Sequence, residues 1–74
     1  MVTESEFLGF AARVIGVSPG DLTLATAYGS IPEWDSIMHI RLVMEFEAEY
    51  GIKLPIETIP QLMTLGDFRN CLEN

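Results

Sequence analysis

Asp35, Ser36 and His39 are the residues of this chain whose types and spacing suggest chemistry. Asp35 follows a loop-like stretch and precedes a helical pattern, so its carboxylate is placed to accept hydrogen bonds from the first amides of a helix. Ser36 then lies at or next to the first helical position, with its hydroxyl directed to solvent. A phosphate attached there would lie near the positive end of the helix dipole. Ser36 is therefore predicted to be an anchoring point.

His39 raises the alternative of an enzyme. It lies three residues after Ser36, so the two side chains would come near each other on one helical turn. A nucleophilic serine also needs a base that a third group orients, and the sequence offers no such group. We therefore interpret His39 as a surface residue and predict no enzyme. A metal site is not predicted either, because His39 and Cys71 are the single histidine and the single cysteine and lack ligand spacing.

The composition limits the classes of partner. The chain has 74 residues and a net charge of −7, and it is predicted to form one domain, 1–74. This charge argues against nucleic acid or an anionic membrane as partner and favours basic protein surfaces. No apolar run is long enough to span a bilayer. The single Cys71 fits a reducing compartment, so the predicted location is cytoplasmic. The start at Met1 and a capped first helix favour a stand-alone protein.

Apolar spacing and cap residues predict the elements. Thr3 and Glu6 have the spacing of a capping box before the first helix, and Thr64 and Asp67 have it before the last. No strand-like alternation of useful length is present. The predicted fold class is all-α, with three main helices and one short third helix. In order, the predicted segments are a first helix ending at Gly16, a long connection from Val17 to about Trp34, a second helix from about Ser36 to Tyr50, a short turn from Ile56 to Ile59, and a last helix after Thr64.

The second helix is predicted to have a core face and a polar face. Helical spacing gives the core face five members: Ile40, Val43, Met44, Phe46 and Tyr50. Glu45 and Glu49 lie on the other side, with Met38 and Leu42 near them. The apolar stripes predict a packed core first, and an internal pocket between the helices is the alternative.

The motif around Ser36 and the segments after it form a longer pattern. It runs through Trp34-Asp35-Ser36-Ile37, Leu42-Val43-Met44, Phe46-Glu47, Glu49-Tyr50-Gly51-Ile52, Leu54-Pro55 and Thr64-Leu65-Gly66-Asp67-Phe68. This pattern resembles the acyl carrier protein family. In that family the serine of an Asp-Ser-Leu motif receives a 4′-phosphopantetheine arm from coenzyme A, and the arm's thiol holds acyl groups as thioesters. The resemblance implies that Ser36 carries the arm, that Asp35 belongs to the motif, and that the fold is a four-helix bundle with a long first loop.

The resemblance also implies the partners. They are a phosphopantetheinyl transferase and acyl-loading and acyl-processing enzymes, which would bind a monomeric carrier. An acidic helix suits fast, reversible docking through electrostatic steering. The predicted docking residues all belong to the second helix: Ile37, Met38, Arg41, Leu42, Glu45 and Glu49.

Departures from the family pattern favour a specialised carrier, for example in polyketide or hybrid metabolism. Carriers of fatty acid synthesis usually have acidic residues just after the motif, where this chain has Met38, His39 and Arg41. Ile31-Pro32-Glu33-Trp34 also replaces the usual lead into Asp-Ser. The alternatives are a carrier of fatty acid synthesis, or an unmodified interaction module that docks through Met38 and Leu42.

Overall fold

The four predicted helical segments are present in the predicted order, which confirms the all-α fold, and a further 3₁₀ turn, Pro19–Asp21, lies in the long connection. The computed structural model describes residues 2–72. Helix α1 spans Glu4–Ile15, α2 spans Ser36–Tyr50 and α3 spans Leu65–Asn70, and a 3₁₀ segment, Ile56–Gln61, lies between α2 and α3. The predicted domain, 1–74, extends beyond the described residues at both ends, by Met1 and by Glu73 and Asn74.

The helices begin and end where the sequence places their caps. The Thr3 hydroxyl accepts from the Glu6 amide at 3.1 Å, and the Glu6 carboxylate accepts from the Thr3 amide at 3.2 Å. Thr64 and Asp67 form the same capping box before α3. Gly16 and Gly51 end α1 and α2 in the left-handed conformation, with φ of 92° and 65°, which glycine adopts without steric cost.

The short turn after α2 is longer than predicted. It was expected to end at Ile59, before Pro60, but the 3₁₀ segment continues to Gln61. The Leu62 amide donates to the Ile59 carbonyl at 3.1 Å, and this bond spans Pro60. Proline lacks an amide hydrogen, but the bond uses the Leu62 amide instead, so Pro60 does not end the segment.

Aromatic rings fill the space between α1, α2 and α3. The Phe46 ring of α2 lies 6.1 Å from the Phe7 ring of α1 and 5.4 Å from the Phe68 ring of α3, in edge-to-face geometries. All three side chains are fully buried. Edge-to-face pairs add stabilisation beyond the buried area, so Phe46 joins the three helices into one core.

The C-terminal end of α2 packs against α1. Arg13 pairs with Glu49 at 3.6 Å, and the Phe10 and Tyr50 rings are 5.4 Å apart. These two contacts fix the end of α2 on the surface of α1.

The long connection is fixed along its course by hydrogen bonds to the start of α3. The Gly66 amide donates to the Leu24 carbonyl at 2.8 Å, the Leu65 amide to Thr26 at 3.1 Å, and the Tyr28 amide to Met63 at 2.8 Å. A Cβ atom on Gly66 would lie 3.1 Å from the Leu24 carbonyl oxygen, so the close approach favours glycine there. The start of α2 therefore follows a well-anchored segment.

Candidate functional site

Ser36 is the first residue of α2 and is exposed. Asp35 caps the helix: its Oδ1 accepts from the Met38 amide at 2.9 Å, and its carbonyl accepts from the His39 amide at 2.9 Å. Within residues 2–72 the Ser36 hydroxyl forms no side-chain hydrogen bond, and the first turn of α2 contains no acidic side chain. The hydroxyl is thus presented to solvent at the positive end of a capped helix.

Trp34 and His39 lie beneath this helix start, and the prediction that His39 is a surface residue is wrong. Trp34 is fully buried and His39 is only 8% exposed. The Trp34 indole Nε1–H donates to His39 Nδ1 at 3.1 Å, so the ring proton belongs on Nε2, which lies 3.4 Å from the Ile59 carbonyl oxygen. With both ring nitrogens engaged, His39 has none left to act as a base for Ser36.

The solvent face of α2 also differs from the predicted one. Ile40 and Met44, expected in the core, are 60% and 64% exposed, and Leu42, expected in the docking surface, is fully buried. The core face instead repeats through His39, Leu42, Val43 and Phe46. The predicted core face is rotated around α2 relative to the observed one. The prediction placed His39 on the surface because its side chain is polar, and it placed the apolar residues Ile40 and Met44 in the core. Tyr50, the last predicted core residue, is half-buried.

The remaining predicted docking residues lie around this solvent face. Ile37 is 78% exposed, and Arg41, Glu45 and Glu49 are exposed as well. Met38 is half-buried against the core. We use the term apolar row for Ile37, Ile40 and Met44, which the helical period places together on the side of α2 opposite the core. Sequence reasoning missed Ile40 and Met44 as surface residues.

Among residues 2–72, Cys71 and the acidic residues do not form a metal site. Within residues 2–72, no group of three or more His, Cys, Asp or Glu side chains has the arrangement of a metal site. Cys71 is half-buried, and its thiol donates to the Asp67 carbonyl at 3.5 Å. Burial, with a smaller contribution from the nearby Asp67 charge, raises the pKa of the Cys71 thiol, so the thiol is poorly reactive. In the part of the chain that the structure covers, no helix could cross a membrane.

The chain is similar to known carrier proteins. The family model described as the phosphopantetheine attachment site matches residues 5–72. The meromycolate extension acyl carrier protein of Mycobacterium tuberculosis H37Rv is 29% identical over 70 residues, covering 89% of this chain and 61% of that protein. The acyl carrier protein of Rhodococcus erythropolis is 30% identical over 55 residues, covering 74% of this chain and 60% of that protein. The chain thus spans about three fifths of the length of these curated relatives.

These similarities confirm the resemblance found in the sequence, and with it phosphopantetheine as the family's cofactor. Acyl carrier proteins are carriers and not enzymes, so the expectation that the chain is not an enzyme is confirmed too. The start of α2 fits the cofactor. A phosphodiester needs an accessible hydroxyl and a surrounding that tolerates negative charge, and Ser36 provides the first while the helix N-terminus provides the second.

Proposed function

This chain belongs to the phosphopantetheine attachment family of acyl carrier proteins, and we propose that Ser36 is its attachment residue. The arm, when bound, supplies a terminal thiol that holds acyl groups as thioesters. The observation that carries this proposal is the exposed Ser36 hydroxyl at the first position of a capped helix. Ser36 needs no activating neighbour in its own chain, because a transferase would supply the base and Mg²⁺.

Asp35 supports this role by fixing the position of Ser36. Its carboxylate holds the Met38 amide at 2.9 Å, which keeps the first turn regular and its remaining amides directed outward. Trp34 and His39 pack the inner side of the same turn. The hydroxyl is therefore offered on a rigid element, and a transferase can reach it without local unfolding.

We propose that partner enzymes dock on the solvent face of α2. The apolar row Ile37, Ile40 and Met44 would enter an apolar groove of the partner, and Glu45 and Glu49 would approach basic side chains. Leu42, which is fully buried, has no part in this surface. The net charge of −7 would steer a monomeric carrier toward basic surfaces and speed encounter at low salt. The partners we propose are a transferase and acyl-loading and acyl-processing enzymes.

The pathway we propose is a specialised one. Arg41 is exposed on α2 and would repel a basic surface that an acidic residue would attract. A carrier named for one pathway has precedent in the mycobacterial relatives, whose name refers to meromycolate extension. Arg41→Glu should make the carrier a better substrate for a malonyl transferase of fatty acid synthesis and a poorer one for its own loading enzyme. Equal loading of both forms would contradict this proposal.

The carrier function is tested by loading the chain with an acyl group. The purified protein is incubated with acetyl-coenzyme A and a phosphopantetheinyl transferase, and its intact mass is measured before and after treatment with neutral hydroxylamine. We expect a gain of one acetyl-phosphopantetheine, and hydroxylamine should remove only the acetyl group, as it does from a thioester. Ser36→Ala should gain nothing, and Ser5→Ala, a matched change near the start of α1, should behave as the unaltered protein. Absence of any mass gain in the unaltered protein would favour the unmodified interaction module.

A further inference from the structure

A closed aromatic cluster lies directly under the attachment residue. The His39 ring stacks on Tyr28 at 4.8 Å and on Trp34 at 5.9 Å. The Phe68 ring meets the His39 ring edge-on at 5.8 Å. Trp34 and Phe68 are fully buried, and His39 nearly so. The interior beside the first turn of α2 is thus filled by four rings that come from the long connection, α2 and α3.

The cluster is held in place by hydrogen bonds in addition to ring packing. Trp34 Nε1–H donates to His39 Nδ1 at 3.1 Å, and His39 Nε2 lies 3.4 Å from the Ile59 carbonyl oxygen. The indole nitrogen can only donate, so Nδ1 is the acceptor and Nε2 carries the proton that faces Ile59. The His39 side chain therefore connects the start of α2 to the 3₁₀ segment that contains Ile59.

Trp34 and His39 lie on either side of Ser36 in the sequence, at two defined positions of the helix start. Asp35 is the cap, so Trp34 precedes the cap and His39 is the fourth helical residue. A side-chain pair at these positions packs together and fixes how the chain enters a helix. Here the pair also contains a buried donor and a buried acceptor. An alkyl chain that entered beside Ser36 would have to displace His39 and leave the Trp34 indole without its acceptor, which is unfavourable in a buried site.

We infer that the Trp34–His39 pair is a specificity determinant that keeps the carried acyl chain outside the helical bundle. The inference rests on the proposed carrier function. The cargo stays in contact with solvent or with the partner enzyme, so the pair favours acyl groups that tolerate exposure, which are short or polar ones. A long alkyl chain gains no shelter from this carrier, because the space between α2 and the 3₁₀ segment is already taken by side chains.

The test compares acyl chains of different length on the same carrier. The protein is loaded at Ser36 from acetyl-coenzyme A or octanoyl-coenzyme A, and the melting temperatures of the two forms are measured. A chain that enters the core adds buried apolar surface and raises the melting temperature. For the unaltered protein we expect the same melting temperature for both forms. An octanoyl form that melts several degrees above the acetyl form would overturn the inference.

Variants at His39 test whether its ring is what keeps the octanoyl chain out of the core. His39→Ala removes the ring, so its octanoyl form should melt above its acetyl form because the chain enters the vacated space. His39→Phe keeps a ring there and should show no difference between the two forms. Ile15→Ala is the matched control, because Ile15 is buried in the last turn of α1 and is not one of the four rings of the cluster. It should show no difference either. An equal response of His39→Ala and Ile15→Ala would overturn the role of His39.

A second measurement does not depend on the variants folding. Trp34 is the single tryptophan of the chain, so we expect one indole N–H signal in the NMR spectrum, and its chemical shift should report the bond to His39. We expect the same shift for the acetyl and octanoyl forms, and a displaced signal in the octanoyl form would overturn the inference. Failure of the protein to gain any acyl mass would instead refute the proposed carrier function, so the two failures are distinguishable.

Discussion

The starts of α1 and α2 are built on the same plan but differ in charge. Each has a cap residue, Thr3 or Asp35, whose side chain accepts an amide of the first turn. Only α1 has acidic residues in that turn, Glu4 and Glu6, and only α2 has an exposed serine at its first position. The first turn of α1 therefore contains two carboxylates, whereas the first turn of α2 contains none and has only the cap carboxylate of Asp35 before it.

This difference supports the proposal that the start of α2, and not that of α1, is the attachment site. A carboxylate near a helix N-terminus is stabilising because it complements the positive end of the dipole. At the start of α2 the only such carboxylate is that of the cap residue, Asp35, and a phosphate on Ser36 would add negative charge within the first turn. The packing beneath the two starts differs accordingly, because a hydrogen-bonded Trp34–His39 pair lies under α2.

The largest expected difference between the two starts concerns the residue that precedes the cap. Trp34 is fully buried, and Trp34→Ala should lower the free energy of unfolding by about 3–5 kcal/mol, the typical cost of truncating a buried aromatic residue. Val2 precedes the α1 cap and is half-buried. Val2→Ala should lower the free energy of unfolding by about 1 kcal/mol. Urea unfolding of both variants measures the two values, and similar costs would contradict the asymmetry.

The cap residues should separate stability from modification. Thr3→Ala and Asp35→Ala should each lower the free energy of unfolding by about 1 kcal/mol, because each removes an acceptor for a first-turn amide. Only Asp35→Ala should also slow addition of the arm, since Asp35 adjoins Ser36. Urea unfolding and the rate of mass gain with transferase give both values. If Thr3→Ala slows modification as much, then stability and not position controls the reaction.

Charge on the solvent face of α2 should affect the rate of partner association. The double variant Glu45→Lys and Glu49→Lys should associate more slowly with the transferase, most strongly at low salt, because exposed charges are screened over about 8–10 Å near physiological ionic strength. Glu4→Lys with Glu57→Lys changes the net charge equally at exposed positions outside α2. Stopped-flow association rates at several salt concentrations compare the pairs, and equal losses would indicate that net charge alone governs encounter.

The smallest expected effect is the acid sensitivity of the α1 start. The hydrogen bonds from Thr3 hold the pKa of Glu6 below its ordinary value of 4.5. A lowered folded pKa stabilises the fold above the unfolded pKa, and this stabilisation is lost as the pH falls through the folded pKa. Glu6→Gln should therefore be less stable than the unaltered protein at pH 6, with a gap that narrows below pH 4.5. Urea midpoints across this range test it, and a gap that is independent of pH would exclude the mechanism.

The sequence predicted local features well, because caps and left-handed glycines depend on neighbouring residues. Thr3, Asp35 and Gly16 act as helix caps, as the sequence predicted. The orientation of α2 was predicted less well. His39 is buried because Trp34 donates to one nitrogen and the Ile59 carbonyl lies near the other, and the second partner is twenty residues away in sequence.

The exposed residues of α2 show the same limit. Ile40 and Met44 are apolar, and their exposure follows only from which side of the helix meets Phe7, Phe10 and Phe68. Periodicity could not distinguish an apolar row on the surface from one in the core. The spacing of Trp34 and His39 around the cap was the available signal for the true core face.

Locating the modification on the chain decides whether the start of α2, and not that of α1, receives the arm. The protein is treated with coenzyme A and a phosphopantetheinyl transferase, and the added mass is assigned to a residue by fragmentation of the intact chain. We predict one phosphopantetheine on Ser36 and none on Ser5, which is also exposed in the first turn of its helix. An arm located on Ser5, or on any residue other than Ser36, would contradict the assignment of Ser36 as the attachment residue.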